Sequence, residues 1–185
     1  MAIYNNRTMD QNAVSVSLDD SGYFLQPASI NHTKQLFEWF RDPEAFTTWA
    51  GPRLDYPSTP EELHLNLSKS GYQFFALCDS GENVVAFGQF QLLPESLHLG
   101  RLAIHPDYRG KGLSYKLLNH LIYKASSLAN FKAISLFVYR SNEVAIKSYQ
   151  TFGFKEAPWP PHVKQMQDCL YMTMPYSIPA PCSAM

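Results

Sequence analysis

The segment of the chain best suited to chemistry is a short loop that combines glycine with basic residues. Residues 108–114 read Tyr-Arg-Gly-Lys-Gly-Leu-Ser and follow a strand-like run that ends at Ile104. An amphipathic helical pattern begins directly after them. Glycine lets the backbone approach a ligand closely, and the free amides and dipole of a helix N-terminus favour a phosphate. Arg109 and Lys111 add positive charge, so the loop predicts a site for a small phosphorylated ligand.

Two familiar nucleotide-binding motifs do not fit this loop. A P-loop needs G-x-x-x-x-G-K-[ST] and a dinucleotide fold needs G-x-G-x-x-G, and residues 108–114 have neither spacing. A glycine turn with solvated cations is the alternative interpretation of an isolated Arg-Gly-Lys-Gly sequence. Whether the loop is a phosphate site or only a glycine turn depends on the secondary structure on either side of it.

Those elements form one predicted domain, residues 21–176, between an N-terminal arm at residues 1–20 and a C-terminal tail at 177–185. Short apolar or alternating runs predict strands at 23–26, 73–78, 83–91, 97–104, 133–138, around Phe154 and at 169–174. Cap residues and apolar spacings of three and four predict helices at 30–40, 60–68, 112–128 and 142–152, with Asp42-Pro43 ending the first.

Two features of the predicted strands concern the loop directly. In the run 97–104 the alternation of apolar residues slips at Gly100, which predicts a β-bulge. The run 133–138 lies between two helices and is continuously apolar, which is typical of a buried parallel strand. The loop is therefore expected to connect a bulged strand to a helix that leads into a parallel strand.

Composition excludes several other classes of protein. The chain has 185 residues, 45% hydrophobic and 17% charged, with a net charge of −1. That balance argues against a broad nucleic-acid or anionic-membrane surface, and no apolar run reaches the roughly 18 residues of a membrane span. Cys78, Cys169 and Cys182 are too widely spaced for a disulfide framework or a zinc site. We therefore expect a soluble cytoplasmic protein without a bound metal.

The loop also resembles a known signature. Residues 102–114 are similar to the acetyl-CoA signature [Q/R]-x-x-G-x-[G/A] of the GCN5-related N-acetyltransferase (GNAT) superfamily. Arg109 fills the first place and Gly112 the fourth, while Ser114 departs from the usual Gly or Ala in the sixth.

A second element agrees with this resemblance. The residues that match the superfamily's N-x-x-A-x-x-x-Y-x-x-x-G-F helix are Asn142, Ala145, Tyr149, Gly153 and Phe154. The resemblance covers residues 23–176. Four further residues resemble the ribosomal-protein N-terminal acetyltransferase branch, namely Trp39, Asp42, Pro43 and Trp49.

The resemblance implies a fold and an acetyl-CoA site. The fold is α/β (α+β): a mixed, mostly antiparallel sheet of six to seven strands with a parallel, splayed pair, strands 4 and 5, flanked by about four helices. Backbone groups of Leu102, Ala103 and Ile104 are expected to bind the pantetheine arm. The residues expected at the pyrophosphate are Arg109, Gly110, Lys111, Gly112, Leu113 and Ser114. Asn142 is expected to contact the cofactor arm, although Asn is also an ordinary helix-start residue.

Two residues are candidates for proton transfer by the same resemblance. Tyr149 is expected to contact acetyl-CoA and to act as the general acid for the CoA thiolate, the alternative being a core tyrosine. His98 is the candidate for receiving the proton of the amine, because an unperturbed pKa near 6.5 suits transfer at neutral pH. A solvent-facing or core histidine, with water relaying the proton, is the alternative for His98.

The implied activity is transfer of acetyl from acetyl-CoA to a primary amine, which is a peptide or protein N-terminus or a small amine, by direct attack in a ternary complex. A non-catalytic CoA-binding domain is the alternative, and an acyl-enzyme on one of the three cysteines is disfavoured. Residues 39–72 are expected to form the acceptor side, with Trp39, Phe46, Trp49 and Tyr56 either lining it or packing in the core. Monomer and homodimer both remain open.

Overall fold

One mixed β-sheet carries the fold. The computed structural model describes residues 16–17, 22–40, 42–52 and 54–177. The strands are β1 (Val16–Ser17), β2 (Tyr23–Pro27), β3 (Gln73–Asp79), β4 (Val84–Leu92), β5 (Ser96–Ile104), β6 (Ala133–Tyr139), β7 (Lys155–Glu156) and β8 (Cys169–Pro175). Their order in the sheet is β1-β2-β3-β4-β5-β6-β8-β7. Among these strands only β5 and β6 pair in parallel.

The predicted fold class is therefore confirmed. The predicted strands 4 and 5 are β5 and β6, because β1 is an additional strand of two residues that pairs with β2. Most of the predicted arm (1–20) and tail (177–185) lies outside the described residues, as does Cys182. Within the described ranges, no helix combines the length and the apolar character that crossing a bilayer requires.

The structure has one α-helix more than the sequence predicts. The helices are α1 (Ile30–Phe37), α2 (Pro43–Ala50), α3 (Pro60–Ser68), α4 (Leu113–Ser126) and α5 (Glu143–Phe152). The prediction that Asp42-Pro43 only ends the first helix is wrong, because α1 ends at Phe37 and Asp42-Pro43 begins α2. The Asp42 carboxylate accepts the Ala45 amide at 2.8 Å, and Pro43 occupies the first turn, where no amide partner is needed.

Side chains of the sheet alternate between two hydrophobic cores. Phe75 and Leu77 of β3 belong to the core that includes α4, whereas Ala76 and Cys78 belong to the core that includes α1, α2 and α3. All four side chains are buried. The helices on the two faces therefore hold the middle strands rigidly, and these strands carry the site.

The middle of the sheet contains the predicted bulge. Gly100 pairs with Gln89, but Ala103 pairs with the residue only two positions earlier in β4, so residues 101–102 together oppose a single residue. Arg101 has a φ of +46°, in the left-handed region. The phase slip at Gly100 thus predicts the irregularity correctly, and the extra residue falls immediately after the glycine.

The two parallel strands separate just before the bulge. Pairing between β5 and β6 stops at Leu99 and Leu136. β5 nevertheless continues to Ile104, and β6 continues to Tyr139. A wedge-shaped gap therefore opens in the sheet, with its narrow end beside Leu99.

Candidate functional site

A cleft of about 2110 Å³ follows this gap and extends from the loop before α4 to α2 and α3. It brings together nearly all of the residues that the sequence singles out. These are His98, Leu102, Ala103, Ile104, Arg109, Gly110, Gly112, Leu113, Ser114, Asn142 and Tyr149. Lys111 is the exception, since it does not line the cleft. Its ammonium group lies 5.1 Å from the centre of the Tyr108 ring.

The N-terminus of α4 differs from those of the other α-helices in the described chain. A side chain caps each of the others, and the capping residues are Ser29, Asp42, Thr59 and Asn142. α4 begins after Gly112, which has a φ of +75° and makes no side-chain cap. In its first turn the Tyr115 amide donates to the Gly112 carbonyl at 3.1 Å, while no side chain caps the amides of Leu113 and Ser114. Those two amides, together with the helix dipole, favour an anion.

The loop before α4 is held in place from both sides. The Tyr108 hydroxyl donates to the Asp79 carboxylate at 3.2 Å, which fixes the loop to the β3–β4 turn and raises the pKa of Tyr108. The Arg109 guanidinium donates through Nε to the Ile104 carbonyl at 3.4 Å. A positive charge is therefore placed at the mouth of the gap, in front of the exposed turn at Gly110.

The separated part of β5 offers its backbone to the gap. The His105 amide donates to the Val85 carbonyl of β4 at 3.0 Å. Because backbone groups alternate in direction along a strand, those of Leu102 and Ile104 point away from β4 and into the gap, whereas those of Ala103 face β4. An extended, amide-containing ligand fits there as an added strand between β5 and β6.

Two predicted site residues, Tyr149 of α5 and its N-cap Asn142, line the cleft. Tyr149 is partly buried, and burial raises its pKa to about 12, so the phenol is protonated at neutral pH. The Asn142 carboxamide caps α5 by accepting the Ala145 amide at 3.2 Å through Oδ1. The helix-start role is thus present, and the Nδ2 donor of Asn142 is not used by the cap.

The residue that departs from the signature makes a contact of its own. The Ser114 hydroxyl lies 2.9 Å from the Ser148 hydroxyl, so a hydrogen bond links the first turn of α4 to α5. Ser148 directly precedes Tyr149. The two walls of the cleft are therefore joined beside the predicted acid.

His98 lies on the floor of the cleft and is buried. Its Nδ1 is 2.9 Å from the Ser135 hydroxyl, and the rings of Phe137 and Tyr72 lie 5.0 and 6.2 Å away. Burial lowers the pKa of His98 to about 4, so the ring is neutral at pH 7. The unperturbed value that motivates the sequence prediction does not hold here, and the role of His98 as proton acceptor stays a prediction.

Two hydrogen bonds that no sequence pattern predicts attach the predicted acceptor side to the sheet. The Trp49 indole donates to the Arg101 carbonyl at 2.9 Å, and the Arg101 Nε donates back to the Ala50 carbonyl at 3.0 Å. These two bonds fix the end of α2 to the bulge of β5. The phase slip at Gly100 is the only signal for them in the sequence, and it does not identify the partner.

The predicted acceptor aromatics divide between the cleft and the core. Trp39 and Trp49 line the cleft, Phe46 is buried, and Tyr56 packs against Phe46. The carboxylates that line the cleft all belong to exposed residues, namely Asp42, Glu44, Asp55 and Glu62.

The two described cysteines have the properties of core residues. Cys78 and Cys169 are free and buried, and burial raises the pKa of both thiols. Each thiol is therefore a weaker nucleophile at neutral pH than a free cysteine, because little thiolate forms. This agrees with the sequence analysis, which disfavours an acyl-enzyme.

The cleft between the two diverging strands has the elongated shape and the uncapped helix N-terminus that an extended, phosphorylated ligand would require. The sequence profile described as "Acetyltransferase (GNAT) family" matches residues 33–154. The chain belongs to this family, as its motifs predict, and is on that ground an acyl-CoA-dependent N-acyltransferase.

Individual relatives agree with this family. The chain is 32% identical over 111 residues to the [ribosomal protein bS18]-alanine N-acetyltransferase of Escherichia coli K12, covering 58% of this chain and 74% of that protein. It is 36% identical over 81 residues to the spermine/spermidine N(1)-acetyltransferase of Bacillus subtilis 168, covering 40% and 53%. The fold matches the spermidine N-acetyltransferase of Vibrio cholerae, crystallised with CoA and spermine, with a TM-score of 0.67, 17% identity and coverage of 84% and 96%.

Proposed function

We propose that this protein transfers acetyl from acetyl-CoA to a primary amine while both substrates are bound. The observation that carries the proposal is the divergence of β5 and β6 beside the uncapped N-terminus of α4. The gap offers the backbone of Leu102 and Ile104 to the amides of the pantetheine arm. The loop 109–114 offers free amides and positive charge to the pyrophosphate.

In this proposal, acetyl transfer takes place at the narrow end of the gap between β5 and β6. Acetyl-CoA supplies a thioester, whose carbonyl carbon forms a C–N bond with the amine as the C–S bond breaks. Tyr149 supplies a proton to the departing sulfur. Burial raises the pKa of the Tyr149 phenol, and it also raises the pKa of a neighbouring CoA thiol. The phenol can therefore still donate its proton to the departing thiolate. The surplus proton of the amine passes to His98 or to water.

The acceptor class is narrower than "any amine". The relatives are named for the alanine of a ribosomal protein and for the polyamines spermine and spermidine, which all present primary amines. In this chain the cleft carboxylates lie at exposed positions such as Asp55 and Glu62, while the floor carries neutral groups such as His98. We propose a peptide N-terminus or a small amine as the acceptor, in the cytoplasm.

One assay tests the proposal directly. CoA release is measured at ~1 mM acetyl-CoA with a peptide that begins with alanine, with spermidine and with a small monoamine, against a sample without acceptor. The same peptide with its N-terminus already acetylated is the control. Release that depends on a free amine is the expected result. Binding of acetyl-CoA without release above hydrolysis for any amine would instead support the non-catalytic CoA-binding alternative.

A further inference from the structure

Gln89 is the one residue of the described cleft whose buried polar atoms lack a partner. It lies in β4, lines the cleft and is 1% exposed. Neither Oε1 nor Nε2 of its side chain has a hydrogen-bond partner among the described residues. The other polar side chain of the floor, His98, is bonded to Ser135.

An unpaired carboxamide is costly in such a place. Leaving a buried donor or acceptor unsatisfied costs the full desolvation free energy of that group. Leu fills a similar volume without that cost, and the flanking strand residues Phe87 and Phe90 are buried and apolar. No described residue bonds the carboxamide of Gln89, so it is available to a ligand in the cleft.

The position of Gln89 identifies that ligand. Its Cα partner is Gly100, the last residue before the bulge, and β5 leaves β6 one residue earlier at Leu99. A Cβ placed on Gly100 would be 3.6 Å from Nε2 of Gln89. The carboxamide thus lies over Gly100, at the narrow end of the gap, where a chain bound along β5 reaches its reacting end.

The polar groups that the structure describes near Gln89 include no carboxylate. His98 lies two residues before Gly100 on the same face of β5, opposite Gln91. It is neutral at pH 7, and Ser135 lies beside it. The half-exposed Tyr72 ring covers the same spot from the solvent side, 3.4 Å from the position of a Gly100 Cβ. An ammonium group finds no carboxylate among these residues, whereas an uncharged amine can donate to a carboxamide oxygen.

We propose that the Gln89 carboxamide binds the acceptor, and that the acceptor is a peptide N-terminus. This rests on the proposed acetyl transfer. Oε1 accepts an N–H of the uncharged amine and leaves the lone pair of the nitrogen free for attack, while Nε2 donates to the carbonyl oxygen of the same N-terminal residue. A peptide N-terminus presents both groups, and spermidine presents no carbonyl. Access requires the Tyr72 ring to rotate away from Gln89.

Gln89→Leu and a matched control test the inference. Gln35→Leu is the control, because the Gln35 oxygen accepts the Val84 amide at 2.9 Å outside the cleft. For Gln89→Leu we expect at least a tenfold loss of kcat/KM for an alanine-initiated peptide, a smaller loss for spermidine, an unchanged Kd for acetyl-CoA and a urea midpoint at or above that of the parent. Gln35→Leu should show a lower midpoint and parental kcat/KM.

The outcomes separate this inference from the proposed function. If the parent releases CoA with the peptide and Gln89→Leu does so equally well, only the role of Gln89 is overturned. If Gln89→Leu loses the same factor in kcat/KM with the peptide and with spermidine, the proposal that the acceptor is a peptide N-terminus is overturned. A lower urea midpoint in both Gln89→Leu and Gln89→Met would show that the carboxamide is structural. A parent that acetylates no amine overturns the proposed function and this inference together.

Discussion

The two ends of the cleft are constructed differently. The end proposed to bind acetyl-CoA is formed by one continuous stretch, residues 102–114, and it presents mainly backbone amides and carbonyls. The end proposed to bind the acceptor is formed by side chains of β4, β5, β6 and α2 that are distant in the sequence, such as Gln89, His98 and Trp49. A site formed by the backbone tolerates a substitution such as Ser114 in place of the usual Gly or Ala. Binding at a site formed by side chains depends on the identity of each residue.

The largest expected effect is on kcat and comes from Tyr149, where the two ends of the cleft meet. Tyr149→Phe keeps the ring and removes only the hydroxyl, so kcat should fall by about 10² to 10⁴, the range for one acid–base group. The Kd for acetyl-CoA should change by less than about twofold, because backbone groups dominate its binding. Steady-state kinetics and calorimetry measure the two quantities. A parental kcat would show that solvent protonates the thiolate and that Tyr149 only packs.

The acetyl-CoA end alone is tested by Gly112→Asp. A carboxylate before the uncapped first turn of α4 occupies the place of the pyrophosphate, so the Kd for acetyl-CoA should rise by about 10² or more. A Cβ at Gly112 meets no atom within 4 Å, and Asp tolerates the left-handed φ of +75° better than most residues, so the variant should fold with a modest loss of stability.

Gly112→Asn is the matched control for that variant. It has the same shape and the same φ of +75° to accommodate, but no charge. We expect it to bind acetyl-CoA at least tenfold more tightly than Gly112→Asp. Equal affinity of the two would mean that shape rather than charge disturbs the site, and parental affinity of Gly112→Asp would mean that the phosphate loop lies elsewhere.

This difference between the ends also determines what the sequence can predict. The acetyl-CoA end is local, so glycine positions, the slip at Gly100 and the apolar spacings of α4 are sufficient to predict the loop, the bulge and the parallel strand. The helix α2 and its bonds to Arg101 join residues 51 and 52 positions apart. Contacts of that kind, and the burial that changes the pKa of His98, depend on tertiary packing and leave no local pattern.

The acceptor end is tested next through the pH dependence of stability. Burial lowers the pKa of His98 to about 4 in the folded protein, while the unfolded chain protonates near 6.5. Between these values the unfolded state binds more protons, so the free energy of unfolding falls as pH falls from 6.5 towards 4 and is unaffected above 6.5. His98→Asn cannot titrate, and we expect the parent to lose about 2 kcal/mol more than this variant across the window.

Urea unfolding of both proteins from pH 7.5 to 4.5 measures that difference. Parallel curves would show that the His98 ring is hydrated in the folded state. The pH dependence of turnover is measured on the same pair, because a proton acceptor must affect it. An unchanged profile in His98→Asn would assign the proton of the amine to water.

The smallest expected effect concerns the two cations of the loop. Arg109 lines the cleft, and its exposed guanidinium should contribute about fivefold to acetyl-CoA affinity, as is usual for an exposed ion pair. Lys111 lies over Tyr108 outside the cleft, so Lys111→Ala should change the Kd by less than about twofold. Calorimetry on Arg109→Ala and Lys111→Ala compares them, and a larger loss in the lysine variant would reverse the assignment.

The central claim is that the gap between β5 and β6 binds acetyl-CoA, and calorimetric titration of the unmodified protein tests it most directly. We expect a Kd between about 1 μM and 1 mM, the usual range for enzyme substrates, and a rise in Tm on adding acetyl-CoA. Absence of both heat and thermal shift at ~1 mM acetyl-CoA would contradict the claim and remove the basis for the acetyltransferase and the CoA-binding interpretations alike.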